Sequence, residues 1–307
     1  MELSAAEIRK AVRAALTEDI GRGDVTTLAT VSRTATARAV LRAREPLVVA
    51  GLDFAEAAFR QVLPFTIRRG ELCESQISGR RETSPPDRIK IQRLVYDGQR
   101  VKAGAILLRI SGPARALLSA ERVALNFVQR LSGIATLTAR FVAAVKGTRT
   151  QILDTRKTTP GWRRFEKYAV RCGGGKNHRF GLFDLVLIKD NHLAALRNEK
   201  PDAVTAAVRR ARQRFPKLKI EVEADTPEQA GQAADAGADI ILLDNLSPAQ
   251  LRQALRRVRG RAKTEASGGV TLATIRATAR TGVDYISVGA LTHSARAVDL
   301  GLDFTNE

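Results

Sequence analysis

The 307-residue chain is poor in the residues that staple, stack or anchor a protein. Its two cysteines, Cys73 and Cys172, are too few for a disulfide framework or a four-ligand zinc site. Cys172 stands beside a run of glycines with no base assigned to it, and reads as a small buried residue rather than a nucleophile. Aromatic residues make up 5% of the chain, thin for a surface that stacks nucleic-acid bases. No apolar run approaches the roughly 18 residues needed to cross a bilayer. The opening MELSAAEIRKAVRAAL alternates charge with apolar residues instead of building a signal-peptide core. The expectation is a cytoplasmic protein with no membrane partner. GxxxxGK[ST] is also absent, which argues against a P-loop ATPase.

What the chain has is basic charge: 51 Lys and Arg against 32 Asp and Glu, a formal +19. The excess is spread, with 19 basic and 13 acidic side chains in residues 1–113 and 32 and 19 in 114–307. A nucleic-acid module concentrates its charge and interleaves it with aromatics, so the excess is read as surface character plus one local anion site, with no nucleic-acid partner. Apolar residues at 44% and a length above that of a typical domain predict a folded protein of two domains.

Residues 4–17 predict an amphipathic helix with a Ser4/Glu7 capping box and Ile8, Val12, Ala15 and Leu16 on one face; GRGD at 21–24 ends it. Short strands follow from Thr34 to about Ile110, broken by a helix near Phe54–Val62, and RETSPPDR at 81–88 reads as an exposed loop. A helical region from Ala114 to Val145 is expected to break at Ser132-Gly133. Arg122 stands within it beside Glu121, where a surface ion pair is the plain reading.

From residue 151 strands and helices alternate, with strands expected at 152–153, 185–188, 219–222, 239–243, 262–265 and 285–288. Helix signals lie between them: Thr226-Pro-Glu-Gln, Ser247-Pro248 with Leu251, Ala254, Leu255 and Val258, and a face of Val204, Ala207, Val208, Ala211 and Phe215. Lys189, Glu223, Asp244, Ser267 and Gly289 each fall at the C-terminal end of a different strand, the pattern of a parallel barrel; a doubly wound sheet gathers its ligands at one switch point. The stretch 151–193 carries nine basic residues against four acids. Of these, Arg163, Arg164, Lys167 and Arg171 read as a solvated helix face, whereas Arg156, Lys157, His178, Arg179 and Lys189 sit in turns or at strand ends, where binding residues collect. Glu223 and Asp244 suit Mg²⁺, which takes one or two carboxylates with phosphate oxygens and water, although pairing with rim lysines is the alternative. Ser267-Gly268-Gly269 and Gly289 can offer backbone N–H groups to a phosphate.

These segments resemble the quinolinate phosphoribosyltransferase family. DTRKTTPG, EKYAVRCGGGKNHR and LVLIKDNH carry the likeness, supported in order along the chain by EDIGRGDVTT, AERVALNFVQRLSGIAT, IEVEADT, IILLDNLS, EASGGVT and ISVGALTHSARAVDLGLDF. The resemblance implies an N-terminal α/β sandwich over 1–113, with 290–307 packing on it, and a TIM-like α/β barrel of fewer than eight strands over 114–289. It implies that Arg156, His178, Arg179 and Lys189 bind quinolinate, with Arg122 supplied by the neighbouring subunit of a homodimer or larger even oligomer. Lys157, Glu223 and Asp244 would serve the diphosphate of phosphoribosyl diphosphate and its Mg²⁺, and Ser267–Gly269 and Gly289 its 5′-phosphate. Arginine forks hold carboxylates bidentately, so a dicarboxylate justifies several of them. Two alternatives stay open: a paralogue that phosphoribosylates another acid, associated with molybdenum, and a barrel lyase forming a Schiff base on Lys189.

Overall fold

A computed structural model describes residues 3–66 and 88–305 and divides the chain into two compact units, Met1–Thr136 with Ala295–Glu307, and Leu137–Ser294. The divisions fall inside a long helix and after a short one, whereas the sequence reading put them at 113 and 289. Cys73 and the RETSPPDR loop, Arg88 apart, lie outside the described residues.

The first unit opens with α1 (Ala5–Ile20), held at its start by the Ser4/Glu7 capping box and burying Ile8, Val12, Leu16 and Ile20. Gly21, at φ 51°, ends it, and Asp24 then caps α2 (Val25–Thr30). There follow β1 (Thr36–Ala43), β2 (Leu47–Val48), α3 (Leu52–Gln61), α4 (Leu63–Thr66), β3 (Lys90–Arg93), β4 (Arg100–Val101) and β5 (Ile106–Pro113).

The helix α5 (Ala114–Ala144) runs unbroken through Ser132 and Gly133, contrary to the expected interruption. Ser132 Oγ accepts from the Ala50 N–H at 2.9 Å and donates to the Ala50 carbonyl at 3.1 Å. A Cβ on Gly133 would stand 2.0 Å from the Arg296 carbonyl oxygen. Both small residues therefore mark close approaches of other backbone to the helix. With Leu131, Ile134 and Ala135 buried around them, packing offsets the roughly 1 kcal/mol that a mid-helix glycine costs.

In the second unit β6 (Gln151–Leu153) is followed by α6 (Arg163–Cys172), β7 (Val186–Ile188), α7 (Asp190–Ala195), α8 (Ala203–Arg214), β8 (Ile220–Ala224), α9 (Pro227–Asp235), β9 (Ile240–Asp244), α10 (Pro248–Val258), β10 (Lys263–Ser267), α11 (Ile275–Ala279), β11 (Tyr285–Ser287) and α12 (Ala290–His293). The six strands form one parallel sheet in the order β6-β11-β10-β9-β8-β7, the TIM-like α/β arrangement with fewer than eight strands. Leu153 also bridges Lys176 beyond the β6 edge. The helix signals serve with two changes. Gln229 reaches the N–H of Asp225, one residue before its Thr226 cap, and Phe215 is exposed past the end of α8 instead of lining its apolar face.

After α12 the chain returns to the first unit as β12 (Leu300–Thr305), which pairs antiparallel with β1 in a sheet ordered β12-β1-β5-β3; β2 and β4 pair separately. No helix among the described residues is long and apolar enough to cross a membrane.

Gly133→Ala separates the two readings of α5. If glycine merely weakened the helix, alanine would stabilise the protein by up to about 1 kcal/mol. The Arg296 carbonyl contact instead predicts a loss of about 1–3 kcal/mol, the usual cost of overpacking, read as a lower urea midpoint at unchanged slope.

Candidate functional site

Side chains in a strand alternate between faces, so residues two apart share one face. Leu187 and Lys189, Glu221 and Glu223, Leu242 and Asp244, Glu265 and Ser267 form such pairs at β7, β8, β9 and β10. With Ser287 and the β6–α6 loop, most of these residues surround a cavity of about 410 Å³ at the C-terminal ends of the strands. Arg156, Lys157, His178, Arg179, Lys189, Glu223, Asp244 and Ser267, assigned to a site from sequence, all line it. Arg122 belongs to the first unit, where it is exposed on α5.

The cationic side is held by two residues that the sequence assigned to a solvated helix face. Arg163 also lines the cavity: its Nε donates to Thr158 Oγ1 at 3.0 Å, and its other nitrogens to the carbonyls of Phe180 (3.1 Å) and Arg156 (3.3 Å). It ties together the loops that carry Arg156 and Arg179. Lys167 is fully buried and paired with the equally buried Asp154. Its turn of α6 faces the interior, because Phe165, Ala169 and Val170 are buried too. Cys172, expected inside, is only half-buried.

The Asp154–Lys167 pair fixes the backbone of His178 from both sides. Asp154 Oδ1 accepts the His178 N–H at 2.9 Å, its Oδ2 accepts Asn177 Nδ2 at 2.6 Å, and Lys167 Nζ donates to the His178 carbonyl at 3.0 Å. Burial pushes the Asp154 pKa up and the Lys167 pKa down; their mutual attraction opposes both shifts. Arg179 follows directly and donates to the Leu185 carbonyl at 3.2 Å. Burial, and then the neighbouring charge of Arg156, lower its pKa, so an anion between the two guanidinium groups would relieve a repulsion already present.

Across the cavity, carboxylate oxygens of Glu223, Asp225 and Asp244 lie within 4.8 Å of one another. Asp225 was missed in the sequence, although Gln229 ties its N–H and brings it beside the other two. Hard oxygen donors that are partly exposed suit Mg²⁺, which keeps water and phosphate oxygens in its shell. Lys189 Nζ also approaches Glu223 Oε2 to 3.3 Å, so the ion pair weighed as the alternative is present at one of the acids. Burial raises the Glu223 pKa, Lys189 opposes, and Asp244 and Asp190 add to the rise.

The glycines have geometric reasons. Gly268, at φ +93°, leaves room for Asn245, whose Oδ1 would lie 2.0 Å from a Cβ there. Asn245 in turn donates its N–H to the Ser267 carbonyl at 3.0 Å and its Nδ2 to Asp244 Oδ2 at 2.6 Å. Gly289 makes room for the Lys157 stem, 3.0 Å from where its Cβ would be, and Thr292 Oγ1 donates to the Lys157 carbonyl at 2.7 Å.

Beneath these groups lies a cluster that sequence reading passed over. His178 Nε2 stands 3.0 Å from Glu221 Oε2 and 3.5 Å from Glu265 Oε2, and both acids are shut off from solvent. Neither acid has a well-aligned hydrogen bond with a described residue; the His178 ring and Ser287 are the polar groups that approach them. The other ring nitrogen, Nδ1, accepts the Arg179 N–H at 2.7 Å. Burial alone would depress the His178 pKa; the approach of Glu221 and the charge of Glu265 outweigh it and raise it. The signal was present in IEVEADT and TEASGG, where a glutamate two positions before a rim residue must face the same interior.

Residues 24–132 match the family model described as "Quinolinate phosphoribosyl transferase, N-terminal domain", and residues 134–303 that of the C-terminal domain. The chain is 43% identical over 299 residues to the nicotinate-nucleotide pyrophosphorylase [carboxylating] of Mycobacterium leprae, covering 96% of each. The solved nicotinate-nucleotide pyrophosphorylase of Francisella tularensis superposes with a TM-score of 0.84 at 37% identity, covering 99% of this chain and 98% of that one. That of Ehrlichia chaffeensis also gives 0.84, at 36% identity over 99% and 100%.

Lys167→Met removes the cation from the buried pair and is expected to destabilise the second unit by about 3–5 kcal/mol, since it strands the Asp154 charge. Adding Asp154→Asn should recover part of that loss. Urea unfolding of the two singles and the double measures the coupling; additive losses would mean that the pair contributes nothing jointly.

Proposed function

This chain belongs to the quinolinate phosphoribosyltransferase family, and on that premise we propose how its cavity performs the family's reaction. Quinolinate and phosphoribosyl diphosphate give nicotinate mononucleotide, diphosphate and CO₂. The observation that carries the assignment is the convergence of Arg156, Lys157, Arg179 and Lys189 on one cavity, with three acids facing them. Arg156 and Arg179 take the quinolinate carboxylates, with Lys189 beside them. His178 contributes chiefly by holding the Arg179 backbone, since both of its ring nitrogens face groups of the chain.

Lys157 faces the diphosphate, and Glu223 and Asp244, joined by Asp225, would hold a Mg²⁺, which when bound would supply positive charge for the leaving group. Ser267–Gly269 and Gly289 take the 5′-phosphate. The pyridine nitrogen attacks the ribose carbon as diphosphate departs, through a transition state of oxocarbenium character. The ring nitrogen becomes cationic, and the ring can then accept the electron pair left when the adjacent carboxylate leaves as CO₂. The chain's part is to position two anionic substrates and stabilise the developing charge. On this reading the chain works in the cytoplasm, and its small-molecule substrates require neither nucleic acid nor membrane.

Neither alternative has a specific observation in its favour. Lys189 already faces Glu223, which supports a lysine that pairs with the rim acids over a Schiff-base nucleophile. Two guanidinium groups side by side suit a dicarboxylate better than a monocarboxylate.

Incubation of the purified protein with quinolinate, phosphoribosyl diphosphate and Mg²⁺ should yield nicotinate mononucleotide and CO₂. Nicotinate should be turned over at least about a hundredfold less efficiently, because it leaves part of the guanidinium clamp unpaired. In the same assay Glu223→Ala and Asp244→Ala should raise the Mg²⁺ concentration needed for half-maximal rate. Equal use of nicotinate would sink the dicarboxylate assignment, and an unchanged metal requirement in both variants the metal assignment.

Arg122 serves the quinolinate pocket of a partner subunit in an even-numbered assembly. Co-refolding Arg122→Ala with Lys157→Ala protein should then restore about a quarter of wild-type activity, since half of randomly paired dimers are mixed and each has one intact site of two. Activity that stays at the parental level after verified subunit exchange is the contrary outcome.

A further inference from the structure

The interior cluster poses a question of charge. One oxygen each from Glu221 and Glu265 and one ring nitrogen of His178 lie within 4.8 Å of one another, in a place where Glu221 is 0% and Glu265 1% exposed. Two carboxylates this close and this dry cannot both ionise at ordinary pH unless a cation compensates each. His178 supplies at most one charge. Even that charge has a cost, because a proton on Nδ1 would expel the Arg179 N–H that Nδ1 now accepts.

Glu265 is the acid suited to hold the remaining proton. Glu221 is the nearer to Nε2, at 3.0 Å against 3.5 Å, and so is the better ionic partner for the imidazole. The groups facing Glu265 are His178 from the loop after α6, Glu221 from β8 and Asp154 from the end of β6. On its neighbouring strands, β11 offers Ser287 and places Tyr285 opposite in register, while β9 places the apolar Leu242 there. Lys167 reaches the same region but is already paired with Asp154. No arginine or lysine among these faces Glu265 directly.

We propose that Glu265 carries a proton at neutral pH and, by staying uncharged, keeps its own negative charge off the floor of the cavity while leaving His178 free to hold the Arg179 backbone. Glu265 is thus a positioning residue that acts through His178, and its loss of the proton adds negative charge below the anion site. Burial, with the charge of Glu221 adding to it and His178 and Ser287 opposing, pushes its pKa up to about 8. The sign follows. Below that value Glu265 is neutral and the anion site keeps its full positive field; as pH rises through it, binding of a dianion weakens.

The inference rests on the assignment of quinolinate to this cavity, and two measurements keep the two apart. In the first, quinolinate KM is followed from about pH 7 to about pH 9.5 in the wild type and in Glu265→Gln, which cannot ionise. The wild-type KM should rise by about tenfold or more across that span, and that of Glu265→Gln by no more than about twofold, while the two proteins show parallel profiles for phosphoribosyl diphosphate. Parallel quinolinate profiles overturn the proposal.

The second measurement needs no substrate. In protein carrying isotope-labelled glutamate carboxyls, one NMR resonance should titrate above about pH 7 and be missing from Glu265→Gln. If every glutamate carboxyl titrates in the ordinary acidic range, Glu265 holds no such proton and the proposal fails, whatever the enzyme acts on. If that resonance is found but no quinolinate activity is, the substrate assignment falls alone.

Discussion

The arrangement of the cationic site depends on one buried ion pair, Asp154 with Lys167. Both groups are shut away from water, where an isolated charge would cost several kcal/mol. The structure offsets that cost with several hydrogen bonds: Asp154 accepts from Lys167, Asn177 and the His178 N–H, and Lys167 also reaches the His178 carbonyl. The peptide units around His178 can hardly shift without breaking one of these contacts. Arg179 is next in the chain, and the Arg163 guanidinium ties the following Phe180 to the Arg156 loop. A pair that stands behind the cavity thereby sets the spacing of two guanidinium groups that line it.

The barrel interior is layered by charge. The pair anchors one side, the triad of His178, Glu221 and Glu265 forms the floor of the cavity, and the Glu223, Asp225 and Asp244 carboxylates share the mouth with Lys157, Lys189, Arg156 and Arg179. The strand period generates this layering: Glu221 and Glu223, like Glu265 and Ser267, are one step of the same inward face at two depths. Charge at the mouth meets water and can remain ionised. Charge one step deeper does not and must be balanced within the protein, which is the basis of the role proposed for Glu265.

Much of the fold was legible because it rests on local signals. The six strands of the second unit are short apolar runs ending in polar residues, and helix starts at Ser4, Thr226 and Ser247 are set by side chains that cap their own backbone. The break expected at Ser132-Gly133 failed for a reason no local pattern contains. Glycine there admits the backbone of Arg296, 163 positions away in number and adjacent in space. Lys167 was misread in the same way. By spacing alone a lysine among arginines on an amphipathic helix belongs to the solvent, and only the approach of Asp154 from β6 shows that its turn of the helix points inward.

By itself the sequence determined the order of strands and helices, the family, and which residues stand at the strand ends, because periodicity, capping and motif are properties of neighbours along the chain. Tertiary structure alone decided which charges meet: that Asp225 joins Glu223 and Asp244, that Arg163 faces the cavity, and that His178 is spent on Glu221, Glu265 and the Arg179 N–H instead of standing free. The physical reason is that an ionisable group's state depends on its distance to other charges and to water, and a curled parallel sheet sets those distances between residues that are far apart in sequence.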